Sequence, residues 1–223
     1  MLEIKAIGIG GIGCALLPFL CRYLQYAGEK ARLTLIDGDR FERRNAERQA
    51  FQHLGNKAEV KAGELAREFD SLSFRAAPEY VTGENVARLI LAGDLVFLMV
   101  DNHASRKLVN DHVAALPEIA LISGGNDYED GNVQVYVRER GRDLTPGLTR
   151  FHPEIAAPRD RNPAELSCEE LLEAGAPQLL FTNLMVASLM LNAYYALRSG
   201  RLKYGEVYLD ILENKSRPVS RPV

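Results

Sequence analysis

Through the first half of the chain, short apolar runs alternate with stretches in which apolar residues recur every three or four positions. The runs predict strands over Leu2–Gly8, Arg32–Asp37, Ser71–Ala77, Asp94–Val100 and Ile119–Gly125. The periodic stretches predict helices over Ile12–Tyr26, Asn56–Phe69, Asn85–Leu91 and Ala104–Ala115. Strict alternation of the two is the pattern of a parallel sheet covered by helices. DLVFLMV, from Asp94, is the most apolar run and reads as the central strand.

After Gly131 the period changes. Val133, Val135 and Val137 alternate with Gln134, Tyr136 and Arg138, which predicts a half-exposed antiparallel strand. Residues 141–165 carry Pro146, Pro153, Pro158 and Pro163 without a sustained period and read as a crossover loop. A short helix from Cys168, a long one over Gln178–Ser199 and a closing strand Glu206–Leu212 follow, with residues 216–223 expected to be a flexible tail. The expected fold is α/β: one domain over residues 1–215, with a Rossmann-like mixed sheet, helices on both faces and antiparallel strands in the C-terminal half.

Composition narrows the function classes. With 223 residues, 47% of them hydrophobic, the chain can bury a full core. The net charge of −3, with both signs interspersed, argues against nucleic acid as a partner. Cys14, Cys21 and Cys168 are odd in number and contain no CxxC pair, so neither a disulfide framework nor a structural zinc is expected, and a reducing, cytoplasmic setting is. Leu179–Leu197 approaches the length of a membrane span, but Thr182, Asn183, Ser188 and Asn192 interrupt it, so a buried helix is expected and no membrane partner. The glycines of AIGIGGIGCALLPFLC argue against a signal peptide.

Those glycines carry the first chemistry. Gly8, Gly10, Gly11 and Gly13 contain GxGxxG between a strand and a helix, and Asp37 ends the next strand. Such a loop lets backbone approach a phosphate chain at a helix N-terminus, while the acid can accept a ribose hydroxyl. An NAD-dependent dehydrogenase and an ATP enzyme fit this equally. The following segment, DGDRFERRNAERQAF, separates them: Asp37, Asp39, Asn45, Arg48 and Gln49 resemble the D-x-D-x-V-x-x-S-N-L-x-R-Q pattern of the ThiF, MoeB and ubiquitin-activating superfamily. KAEV from Lys57 resembles that family's lysine segment. VDNHASRKLVND resembles its T-D-N-x-x-x-R-x-x-x-N-D, through Asp101, Asn102, Arg106, Asn110 and Asp111. GGND from Gly124, Gly131 with the valine strand, LSCEELL and LLFTN resemble more narrowly the PRTRC-type ThiF-like proteins found beside ubiquitin-like proteins.

The resemblance implies an ATP- and magnesium-dependent adenylyltransferase acting on the C-terminal carboxylate of a ubiquitin-like or sulfur-carrier protein. It implies that the glycines, Asp39, Asn45 and Asn102 surround the nucleotide, that Asp37 binds ribose, that Arg48 and Lys57 bind phosphate, and that Asp101 is the magnesium-holding or catalytic acid. Such a site must neutralise phosphate charge that would repel an attacking carboxylate. Relatives carry a helix before the first strand whose arginine reaches the partner subunit's ATP. Only Met1 precedes Leu2 here, so the expectation is either that Arg43 or Arg44 stands in or that the chain is weaker at catalysis than its relatives. The resemblance also implies a homodimer, for which the long helix offers Met185, Met190, Tyr194 and Tyr195, although core packing alone would also explain these residues.

Cys168 is the candidate nucleophile for a thioester. Ser167 and Glu170 have capping-box spacing, which puts Cys168 at a helix N-terminus that favours the thiolate, whereas Glu165, Glu169 and Glu170 oppose it. His53, His103, His112 and His152 show no ligand or triad spacing and read as structural, and Cys14 and Cys21 as packing residues. Two alternatives remain open: a non-catalytic module that binds a ubiquitin-like partner, and adenylation of a peptide or RNA-linked carboxylate.

Overall fold

The computed structural model describes residues 1–167, 170 and 178–223. Cys168 and the short helix expected from it lie outside the described residues. At their border the capping box forms as its spacing predicts: Ser167 N–H donates to Glu170 Oε2 at 2.8 Å and Glu170 N–H to Ser167 Oγ at 3.3 Å.

Strands β1 (Leu2–Ile7), β2 (Ala31–Ile36), β5 (Ser73–Ala77), β6 (Leu95–Leu98) and β7 (Ile119–Asn126) form the parallel part of one sheet. β8 (Asp130–Glu139), β10 (Glu206–Asp210) and β11 (Lys215–Val219) extend it antiparallel beyond β7. The order β11-β10-β8-β7-β6-β1-β2-β5 puts β6 in the interior, as its composition predicts. β9 (Arg142–Asp143) pairs on β8, and β3 (Arg40–Phe41) with β4 (Gly55–Asn56) makes a small separate ribbon.

Helices cover both faces. α1 (Gly11–Tyr26), α2 (Lys57–Glu68) and the long α6 (Leu180–Arg198) place Leu16, Leu20, Leu65, Val186 and Met190 in one core with Ile4, Leu33, Phe97 and Val135. α3 (Val86–Leu89), α4 (His103–Ala114) and α5 (Pro153–Ala156) bury Leu89, Val109 and Ile155 against Val96, Leu98 and Tyr136 on the other face. Each such side chain contributes roughly 1.5–3 kcal/mol when fully buried.

Three expectations change. β8 is buried on both faces rather than half-exposed, because helices cover the sheet on both sides of it: its valines enter the first core with Val186 and Met190 of α6, while Tyr136 enters the second with Val109 and Ile155. Residues 215–219 are not a flexible tail but an edge strand on β10, and Arg221 beyond it pairs with Glu206. On α6, Met190 and Tyr194 are buried against the sheet in core packing, whereas Tyr195 is exposed as expected and is joined on the apolar surface by Phe181 and Leu184. Within residues 141–165 the chain is largely irregular, with only β9, α5 and a 3-10 turn at Pro163–Glu165.

Candidate functional site

β1 lies between β2 and β6, so the chain leaves it on one side and returns on the other; open α/β sheets bind ligands at such a switch point, outside the carboxyl ends of the strands. There the molecule has a cavity of about 1290 Å³, running from the loop Gly8–Gly11 past Asp37, Arg48 and Asp101 to His152 and Tyr208. That exceeds the roughly 300–1,000 Å³ of ordinary ligand pockets. It leaves room for a nucleotide and part of a second reactant.

The glycine loop is shaped from behind. Gly8 has φ +85°, and a Cβ on it would lie 2.8 Å from the Met99 carbonyl, so only glycine fits this exit from β1. Gly13 packs on the Gly8 carbonyl, while Gly10 and Gly11 face the cavity. Asp37 braces the loop: one carboxylate oxygen accepts the Ile9 N–H at 2.6 Å, the other the Asp39 N–H at 2.8 Å. Burial raises its pKa, against the Lys57 charge and these two donors. Both oxygens keep a second lone pair for a ribose hydroxyl.

The cations are held by neighbouring carboxylates. Lys57 opens α2 and its ammonium is paired with Asp39. Asn56 fixes that corner: its Nδ2 donates to the carbonyls of Asp37 (2.9 Å) and Asp39 (3.1 Å), and its Oδ1 accepts the Glu59 N–H as the α2 cap. Asn45 organises the turn before Arg48, its Oδ1 accepting from Glu42 N–H at 3.1 Å and its carbonyl accepting from the N–H of Arg48 and Gln49. Arg48 reaches Glu47 through Nη1, while its buried Nε has no hydrogen-bond partner among the described residues. Of the two stand-in arginines, Arg44 borders the cavity, paired with Glu42 at 2.7 Å.

Asp101 is exposed in the cavity just past β6. Asn102 caps α4, its Oδ1 accepting the Ser105 N–H at 2.8 Å. Beneath them Arg106 is buried and donates to Ser123 Oγ and to the carbonyls of Val100 and Gly124. Burial lowers its pKa, opposed first by the charge of Asp101 and then by Asp160, Asp127 and Glu154. The 141–165 segment reaches over this edge: Asp160 accepts the N–H groups of His103 (2.7 Å) and Ala104 (2.8 Å) at the start of α4, and Asn162 donates to Val81 O at 2.8 Å. No group of three or more His, Cys, Asp or Glu side chains among the described residues is placed to hold a metal unaided.

At the far end, His152 lies between Glu154 (Nδ1, 2.7 Å) and Glu206 (Nε2, 2.6 Å). Glu206 also accepts from Asn132 and from Arg221, and Arg221 donates to the Tyr208 hydroxyl. Sequence reasoning missed this cluster, as it missed Asn56 and Asp160, because their partners are far away in the chain, and it missed the buried Asn183, which packs against the distant Gly11. Cys14 and Cys21 are buried as expected; desolvation pushes their thiols up to about 11 and about 12.

Comparison with known proteins agrees with this geometry. The ThiF family pattern matches residues 2–217. A sulfur carrier protein adenylyltransferase of Thermus thermophilus is 31% identical over 138 residues, covering 60% of this chain and 49% of that protein. The adenylyltransferase and sulfurtransferase UBA4 of Meyerozyma guilliermondii is 28% identical over 156 residues, covering 68% and 34%. A crystal structure of E. coli MccB with MccA-N7isoASN superposes with a TM-score of 0.76 at 17% identity, over 98% of this chain and 64% of that one, and MccB with ATP gives 0.74 at 16%, over 98% and 63%. The chain thus spans half or less of the length of these two curated relatives and just under two thirds of MccB. With a match that runs from β1 into β11, the protein belongs to the ThiF family.

Proposed function

We propose that the protein is an ATP-dependent adenylyltransferase that activates the C-terminal carboxylate of a ubiquitin-like or sulfur-carrier protein. One observation carries the reading: a glycine loop at a helix N-terminus, two cationic side chains and an acid without an ion-pair partner among the described residues share one cavity larger than a nucleotide needs, at the sheet's switch point. A carboxylate oxygen attacks the α-phosphorus, the bond to the bridging oxygen of the β-phosphate breaks, and pyrophosphate leaves. The nucleophile is already ionised near neutral pH, so no base is required. The protein's work is to bring two anions together.

The N–H groups of Gly10 and Gly11 and the α1 N-terminus receive phosphate oxygens. Arg48 and Lys57 supply cationic charge, Lys57 doing so once phosphate competes with Asp39 for its ammonium. A magnesium ion, held by Asp101 jointly with phosphate oxygens, would add Lewis-acid stabilisation; an exposed carboxylate without a cluster of further ligands among the described residues suits such a shared site better than a closed protein cage. The volume beyond the phosphates, towards His152 and Tyr208, is where the carrier's terminus enters.

The T. thermophilus relative is named for action on a sulfur carrier protein, whereas MccB structures contain MccA, so a peptide carboxylate is the second reading. The dimer expected from the resemblance would use the exposed strip of Phe19 and Tyr23 on α1 with Phe181, Leu184 and Tyr195 on α6. The test is ATP–pyrophosphate exchange with magnesium and candidate small proteins ending in glycine, with mass spectrometry for an added AMP. Exchange that requires such a protein, and is lost in a folded Asp101→Ala variant, is expected. Absence of exchange with every carrier and peptide tried would favour the non-catalytic module.

A further inference from the structure

Asn183, near the start of α6, is fully buried, and neither its Nδ2 nor its Oδ1 has a hydrogen-bond partner among the described residues. It lies directly behind the glycine loop: a Cβ on Gly11, the first residue of α1, would fall 2.1 Å from Nδ2. Its neighbour Thr182 donates to Tyr128 O at 2.6 Å and pins this turn of the helix in place. On the cavity side of the loop, Gln49 is buried too and its Oε1 is likewise unpartnered, with Nε2 3.9 Å from where a Gly10 Cβ would be. The loop is therefore flanked by two carboxamides with unused hydrogen-bonding capacity.

Packing alone does not account for Asn183. A buried amide without partners is unfavourable, and a leucine of similar size would fill the space without that cost. The first N–H groups of α1 have no intrahelical partners, and Gly10, Gly11 and Ile12 border the cavity. An anion that draws those N–H groups towards it directs the carbonyls of the same peptide planes away from itself; the Gly10 carbonyl already accepts the Cys14 N–H at 2.9 Å, so a loop carbonyl must shift to reach Nδ2.

We infer that Asn183 is a positioning residue of the nucleotide site, donating from Nδ2 to a carbonyl of the glycine loop when phosphate is bound and so holding the loop's N–H groups on the phosphate. The inference rests on the nucleotide reading above. It assigns the amide a cost in the free protein that nucleotide binding recovers.

The experiment compares wild type with Asn183→Leu and Asn183→Ala, measuring melting temperature without nucleotide and affinity for AMPCPP with magnesium by calorimetry. Asn183→Leu is expected to melt no lower than wild type yet bind AMPCPP at least tenfold more weakly, about 1.4 kcal/mol. Asn183→Ala, which adds no bulk beside Gly11, is expected to lose affinity to the same degree. A folded variant that binds within twofold of wild type overturns the role of Asn183, as does failure of both variants to fold, which would make the amide structural. Wild type that does not bind AMPCPP overturns the nucleotide reading itself, a result distinct from a wild type and a variant that bind alike.

Discussion

Replacing Glu206 by glutamine tests how the far wall of the cavity is held. Glu206 is only 2% exposed and accepts from His152 Nε2 at 2.6 Å, Asn132 Nδ2 at 3.1 Å and Arg221 Nε at 3.1 Å. Burial opposes its ionisation, but the hydrogen bonds from His152 and Asn132 and the imidazolium charge outweigh that and bring its pKa from 4.5 down to about 2. Carboxylates only accept, so both ring nitrogens of His152 donate; the hydrogen bond to Glu206 does most to raise the His152 pKa above 6.5, against burial. The difference between 4.5 and about 2, at about 1.36 kcal/mol per pH unit, makes the ionised Glu206 worth about 3 kcal/mol.

The two groups act in opposite pH directions. A depressed carboxyl pKa stabilises above 4.5, and that contribution is lost as pH falls from 4.5 through about 2; a raised histidine pKa stabilises below 6.5, and that contribution is lost as pH rises through the folded-state value. The cluster therefore contributes most between pH 4.5 and 6.5. Glu206→Gln should lower stability there by about 3 kcal/mol, or about 6–12 °C in melting temperature for a chain of this size. The assay is urea or thermal denaturation of both proteins from pH 4.5 to 8.5. The gap should be widest near pH 5.5 and narrow towards pH 8.5. A constant gap across that range, or none, would refute the ion-pair account.

Gly11→Ala should destabilise by about 1–3 kcal/mol, because the new methyl overlaps the Asn183 amide, and the Gly11→Ala, Asn183→Ala double variant should recover part of that in a denaturation cycle. Asp160→Ala removes the carboxylate bound to the first N–H groups of α4 and should speed limited proteolysis within residues 157–167, with a melting temperature within a few degrees of wild type; unchanged cleavage would show that other contacts hold the segment. Light scattering should give about twice the 24.8 kDa chain mass, reverting to one chain in a Phe181→Asp, Leu184→Asp variant, whereas a monomeric wild type would refute the dimer.

What the sequence alone determined is local. The order of strands and helices through the first half, the glycine loop after β1 and the Ser167–Glu170 capping box all depend on residues a few positions apart, where periodicity and hydrogen-bonding reach act directly. The resemblance named the same cavity residues because its pattern follows the loops at the ends of β2 and β6. Tertiary structure decided what depends on distant partners. The alternation in β8 cannot reveal that helices will cover both its faces, and the polar tail cannot reveal that it will pair with β10. Asp39 takes the charge of Lys57 from 18 residues away, and His152 finds Glu206 across 54. Gly11 meets Asn183 only because α1 and α6 pack on the same face of the sheet. Contacts closed by the folding of long loops leave no short-range spacing to read, so the half of the site built by the crossover segment and the C-terminal strands emerges only in three dimensions.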